Sequence, residues 1–468
     1  MSSYEEFINK KAYEEIDSGF DADTLNPRLK DFQYAIVRWA LKRGRAAIFA
    51  DTGLGKSFMQ CEWAHNVVKH TNKPVLIFAP LAVAKQTKED AAKFGIDVHY
   101  SRKQPDILKA GIYITNYEME QHYNPDDFVG VVLDESGILK NQTGATRNEM
   151  INRWGSCPYR LSCTATPSPN DFMELGNQSE FLGIMSMTEM LAMFFVNDTG
   201  NTGTWRLKGH GKAKFWQWLA TWACVIRKPS DLGYDDEGYN LPPLNIIEHV
   251  VESESVQQGE LFSRPAETLS ERRQAKRDTI EQRVQVAAKL VNESSDAWIV
   301  WCYLNDESEA LKKAIVDNVE VKGADKMDDK ELRLMSFQHG NEHCLITKPS
   351  IAGFGLNFQH THNMIFVGLD DSFEKYYQAV RRQYRFGQKH IVNVHIITSD
   401  REESIKRNIE RKQKQHDEIS AQMIDYMGEA MRKNINGAMV EKTSYNPQID
   451  MDLPDWVIKN FDCTNSMS

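Results

Sequence analysis

The octapeptide ADTGLGKS, Ala50 to Ser57, constrains this chain more than any other stretch, because it follows the apolar run Ala46 to Ala50 and precedes the helical pattern Phe58 to Val68. A strand, a glycine turn and a helix in that order make a phosphate cradle. Gly53 and Gly55 let the backbone turn tightly and approach a polyphosphate, while the amides opening the next helix point at the anion. Thr52 belongs to the same loop, Lys56 would reach the outer phosphates and Ser57 would hold magnesium, so ATP and Mg2+ are the expected ligands. The usual first glycine of the pattern is Ala50 here.

A chain of 468 residues is too long for one ordinary core and points to about two or three domains. Hydrophobic residues make up 41%, ordinary for a folded chain, and no stretch of 18 uncharged apolar residues occurs, so no membrane partner is expected. The first thirty residues are charged and lack an apolar core, which argues against a secretory signal. Seven cysteines, scattered without a CxxC pair, fit reduced thiols in a cytoplasmic setting better than a disulfide framework or a zinc site. The net charge of -10 speaks against wholesale coating of nucleic acid but leaves room for a local basic groove.

The run VVLDES reads as a buried strand, Val131 to Leu133, ending in Asp134 and Glu135. Ligands of open parallel sheets gather at the carboxyl ends of strands, so these acids fall where a nucleotide would sit. Asp134 is the candidate magnesium holder and Glu135 the candidate for polarising an attacking water. LSCTATPSPN, Leu161 to Asn170, is another strand end, with Thr164 and Thr166 able to hydrogen-bond the DES turn. Pro80, Thr115 and Asn116 lie just past further strand ends, where loop amides and hydroxyls can hold a nucleic-acid phosphate. Gln33, ahead of an amphipathic helix, offers an amide able to read adenine, and Phe32 is assigned to core packing.

Near the other end stands YYQAVRRQYRFGQ, Tyr376 to Gln388. Gln378, Arg382 and Arg385 are spaced by four and three, which puts them on one face of a helix. Two arginines presented together suit the charge that develops on a transferring phosphoryl group. The preceding TKPSIAGFGLNF supplies a glycine-rich strand-end loop, with Gly353 and Asn357 as candidate nucleic-acid contacts.

The ordered set ADTGLGKS, DES, TATP, GFGLN and QAVRRQYRFGQ resembles the superfamily-two helicases, and within them the Swi/Snf-like double-stranded DNA translocases. The last motif of that group, QAxxRxxRxGQ, is met by Gln378, Ala379, Arg382, Arg385, Gly387 and Gln388. VIRKPSDLGYDDEGYNLPPL, Val225 to Leu244, looks like the segment that bridges the two lobes in that family. Two departures stand out: DES replaces the more usual DEAH or DEGH, and Pro349 and Ser350 stand where the family carries threonine and arginine. No chromatin-reading extension is expected, which favours a compact bacterial or phage-type motor.

The expected fold is α/β, two RecA-like parallel-sheet lobes in tandem with a helical protrusion on the first. The expected divisions are a first lobe over 1–235 with its Met-, Phe- and Trp-rich protrusion at about 171–225, a linker and bridging helix over 236–285, a second lobe over 286–400, and a C-terminal helix with an extended tail over 401–468. The charged run Arg401 to Lys414 reads as a solvated helix, and Glu320 to Gly323 as a lobe strand rather than half of a nuclease site. The resemblance implies a DNA-stimulated ATPase translocating on duplex DNA. The alternatives are a helicase that separates forked or branched DNA or RNA, and a nucleotide-gated scaffold that barely hydrolyses ATP. A protein partner at the protrusion is the remaining expectation.

Overall fold

The computed structural model describes residues 18–105, 108–140, 144–168, 171–197, 205–252, 274, 276–352 and 356–437. Gly353 and the tail from 438 onward lie outside them, as does the whole segment from 253 to 273.

In the first lobe, apolar runs such as AAIFA and VLIFA are buried on both faces, the habit of parallel strands covered by helices on each side. The strands are β1 (Arg45–Ala50), β2 (Val75–Ala79), β3 (Val98–Tyr100), β4 (Ile112–Asn116), β5 (Gly130–Asp134) and β6 (Tyr159–Thr164). A short antiparallel hairpin follows, β7 (Phe195–Asn197) with β8 (Trp205–Leu207), and then β9 (Ala223–Ile226). Among the described residues the sheet runs β3-β4-β2-β5-β6-β1-β9, every pairing parallel. In its register Phe49 faces Thr164 and Asp134 faces Cys163. The glycine turn after β1, the acids after β5 and the threonines after β6 therefore open onto one edge.

The second lobe contains β10 (Leu244–Val251), β11 (Trp298–Trp301), β12 (Asn318–Val321), β13 (Cys344–Thr347), β14 (Asn363–Val367) and β15 (Val392–Ser399). Their order is β10-β15-β14-β11-β13-β12, again all parallel. Two parallel sheets with helices establish the α/β class and are consistent with tandem RecA-like lobes. The expected start of this lobe at 286 is too late, because β10 already pairs with β15 along its whole length. Its pattern hid it: β10 is an edge strand whose Ile246, Ile247 and Val250 are exposed, so it lacks the continuous apolar burial of its neighbours.

The protrusion is a packed one. Helices Leu175–Leu182, Met187–Phe194 and Lys212–Trp222 bury Phe181, Phe194, Phe215, Trp216, Trp218 and Trp222. What covers it comes from the far end of the chain. The helix Glu403–Gly437 leaves the second lobe, continues past the charged run that closes at Lys414, and returns to the first lobe. Ile419, Met423, Met427, Met431 and Ile435 recur every fourth residue and are all buried in the first lobe's core. Tyr426 stacks on Trp216, and Arg432 Nε donates to Asp231 O at 3.0 Å. Met427→Ala, deleting a fully buried side chain at this seam, is expected to cost about 2–5 kcal/mol, read as a lower thermal or urea midpoint.

On β10 and β15, His249 Nε2 and His395 Nδ1 lie 3.0 Å apart, with the rings stacked and Trp298 edge-on to His395. Burial, then the neighbouring His249, pushes His395 down to about 4. Unfolding releases both rings to the ordinary value near about 6.5. The pair therefore favours the fold fully above that pH and loses its contribution as pH falls toward the folded value. Between pH 7 and pH 5, wild type should lose about 2 kcal/mol more stability than His395→Phe, measured by denaturant unfolding.

The six described cysteines are unpaired and buried. No helix among the described residues is long and apolar enough to cross a membrane.

Candidate nucleotide site between the two lobes

The phosphate loop leaves β1 and enters the helix Lys56–Thr71 through two residues with positive φ, Gly53 at 90° and Gly55 at 82°. Space as well as conformation demands glycine here. A Cβ on Gly53 would lie 2.5 Å from the Phe386 amide nitrogen of the second lobe, and one on Gly55 would collide with the Gln33 side chain. Gln33 donates from Nε2 to Leu54 O at 2.8 Å and accepts from the Lys30 amide at 3.0 Å. Its amide thus grips the phosphate loop in this structure, while the side chain still borders the cavity. Lys56 Nζ donates to Ala50 O at 2.7 Å, folding back over the end of its own strand.

The acids after β5 are held by partners that the sequence did not reveal. Tyr117 OH donates to Asp134 O at 2.7 Å, and Gln178 Nε2 donates to Ser136 O at 2.9 Å. Thr164 and Thr166 were expected to brace this turn. Thr164 Oγ1 instead accepts from the Thr166 amide at 3.1 Å, and Thr166 Oγ1 accepts from Gln378 of the other lobe at 3.4 Å. Asp134 is buried, and burial, followed by repulsion from Glu135, pushes its carboxyl up to about 6. Glu135 sits at φ 55°, a left-handed conformation that is costly for a side-chain residue, and borders the cavity.

The second lobe closes the space from the opposite side. The helix Phe373–Val380 ends before either arginine is reached, so Arg382 and Arg385 lie in the turns that follow and not on one helical face as their spacing implied. The turns nevertheless deliver both to the cavity. Arg382 donates to Gln378 O at 2.9 Å, to Gln378 Oε1 at 3.0 Å and to Leu356 O at 3.0 Å. Burial and the neighbouring Arg385 bring its guanidinium down to about 10, with Glu135 and Asp134 pulling the other way. Among the described residues Arg385 makes a single long bond, 3.4 Å to Leu356 O, and burial lowers its pKa too. Phe386 stacks on Tyr239 at 4.3 Å, an aromatic wall missed because Tyr239 sits in a glycine- and proline-rich stretch.

The resulting cavity has a volume of about 390 Å3 and is bordered from the first lobe by Gln33, Thr52, Gly53, Gly55, Lys56, Ser57, Asp134 and Glu135. Asn357, Arg382 and Arg385 border it from the second. Gln378 stands behind, fully buried. Of the residues expected at nucleic acid, Asn357 belongs to this cavity, its amide donating to Gln86 Oε1 of the first lobe at 3.2 Å. Thr115 and Asn116 are wholly buried at the end of β4, so neither side chain is displayed to a bound polymer. Pro80 follows β2 and precedes the helix Leu81–Lys93, and Gly353 falls outside the described residues.

The donor set fits a magnesium-bound triphosphate. Two glycines open the backbone to a polyanion, a helix N-terminus and three cations surround it, and a buried carboxylate disfavoured as an anion awaits a positive charge. Ser57 and Asp134 are the residues that would hold the metal. No group of three or more His, Cys, Asp or Glu ligands exists among the described residues, so an all-protein metal cage is not what the cavity offers.

Residues 281–387 match the model of the helicase conserved C-terminal domain, which spans the second lobe from the helix Ile280–Asn292 to the arginine-bearing turn. Among curated proteins none matches the chain. The match, on a chain of two parallel-sheet α/β lobes, supports its place among the helicase superfamilies.

Proposed function

We propose that the chain is an ATP-dependent motor of the Swi/Snf-like branch of superfamily two, moving along duplex DNA. The observation that carries the reading is the split cavity: Lys56, Asp134 and Glu135 come from one lobe, Arg382 and Arg385 from the other. Magnesium, when bound, neutralises phosphate charge. Lys56 and the loop amides bind the polyphosphate, Glu135 orients and deprotonates the attacking water, and the two arginines stabilise the charge of the transferring group. A site completed by two bodies is active only when they close. A polymer lying across both lobes favours closure, and each hydrolysis cycle lets them part, which is how turnover becomes movement. Contacts chiefly to phosphates would make binding salt-sensitive and largely indifferent to sequence.

The test is ATP hydrolysis with no polymer, single-stranded DNA, duplex DNA, forked DNA and RNA. Strong stimulation by duplex DNA is expected. Stimulation by single strands alone would favour the strand-separating reading, and none by any polymer would favour the nucleotide-gated scaffold. The cytoplasmic setting and a compact bacterial or phage-type context remain part of this proposal.

A further inference from the structure

The third arginine of the segment, Arg381, does not border the phosphate cavity. Its Nη2 lies 3.1 Å from Asp51 Oδ2, and Tyr377 OH donates to Asp51 Oδ1 at 3.1 Å. Asp51 opens the phosphate loop: its Oδ1 also accepts from the Thr52 amide at 2.7 Å, and its own amide donates to Ile226 O at 3.0 Å. One carboxylate therefore shapes the loop and receives two groups from the other lobe. The guanidinium lies 5.0 Å from the Tyr377 ring and 5.5 Å from that of Tyr384, which fixes its direction. Burial works against the Asp51 anion, yet Arg381, the Thr52 amide, Lys56 and Tyr377 hold its carboxyl below the usual range.

Both partners are largely buried, with side chains 14% and 13% exposed. A buried ion pair adds little net stability over apolar packing, but breaking it strands a charge, so its main effect is to select one arrangement of the groups that carry it. Those groups sit on two different lobes. A second cavity of about 660 Å3, bordered by Asp51, Tyr377, Arg381 and Tyr384, lies alongside and gives the pair an open flank, so it can be broken and remade as the lobes part.

We propose that Arg381 is a positioning residue: with Tyr377 it clamps Asp51, tying the phosphate loop to the segment bearing Arg382 and Arg385 and fixing the register in which the lobes close. The catalytic part of this inference rests on reading the cleft as an ATP-hydrolysis site. A misregister of about 1 Å is enough to cost on the order of a hundredfold in rate.

The experiment uses the full chain with one fluorophore on each lobe, and measures the interlobe distance without nucleotide, ATP affinity, and kcat with duplex DNA. Arg381→Gln should lengthen and broaden the interlobe distance and lower kcat on the order of a hundredfold with ATP affinity nearly unchanged. Arg381→Lys, which keeps the charge, should recover part of both, and Asp51→Asn combined with Arg381→Gln should lose no more than the worse single variant. Should Arg381→Gln fail to fold, Tyr377→Phe carries the test through a smaller shift in the same two readouts. Wild-type distance and kcat in these variants would overturn the clamp, as would a loss confined to ATP affinity. If wild type hydrolyses no ATP with any polymer, the ATPase reading falls, and the interlobe distance alone still decides whether the clamp exists.

Discussion

Glu135→Gln is expected to lower polymer-stimulated ATP turnover by on the order of a hundred- to ten-thousandfold while leaving ATP binding intact. The substitution removes the basic oxygen without removing bulk. The carboxamide has the same size, and the left-handed backbone at φ 55° is held by its surroundings: Tyr117 fixes the preceding carbonyl and Gln178 the following one. It also removes the charge that, after burial, raises the Asp134 carboxyl. Asp134 in the variant is thus more readily an anion, which suits retention of a metal-bound nucleotide. Steady-state hydrolysis beside equilibrium binding of a fluorescent ATP analogue separates the two effects. Loss of binding in proportion to turnover would mean that Glu135 shapes the cavity instead of acting on water.

The second large effect is expected at the arginines, where losing one that stabilises the transferring phosphoryl group typically costs about a thousandfold or more in rate. The geometry separates their contributions. Arg382 commits three donors to Gln378 and Leu356 and is almost fully buried, so Arg382→Ala should lose both turnover and stability. Arg385 makes one long bond among the described residues, which leaves most of its guanidinium free to meet a phosphate. Arg385→Ala should therefore lose turnover with little change in the thermal midpoint. Paired melting and ATPase measurements check this, and a large stability loss in Arg385→Ala with near-normal turnover would reverse the assignment.

The sequence made legible what is contiguous. The phosphate loop, the acids after β5 and the arginine segment each follow an apolar run that is buried in the fold, so strand end and chemistry could be read together. What stayed hidden depends on the other lobe or on a distant element. Thr166 pairs with Gln378 across the cleft, and nothing in TATP signals a partner some two hundred residues away. Arg381 and Arg382 are the same residue type side by side, yet the turn after Val380 sends one to Asp51 and the other to the cavity, because the helix stops between their positions and Gln378. β10 escaped because an edge strand need not be apolar throughout. Of the C-terminal helix the charged run to Lys414 was legible as helix, but the residues at every fourth position from Ile419 were not read as a seam, because the core they enter lies some two hundred residues earlier in the chain.

Whether one triphosphate is served by both lobes is decided by a structure with magnesium, ADP and a metal fluoride mimicking the transferring phosphoryl group. The fluoride is expected between Lys56 and the guanidinium of Arg382 or Arg385, within hydrogen-bonding distance of both lobes, with Glu135 on the side of the attacking water. A ligand held by the first lobe alone, with both arginines turned away and the cleft open, would contradict a shared site.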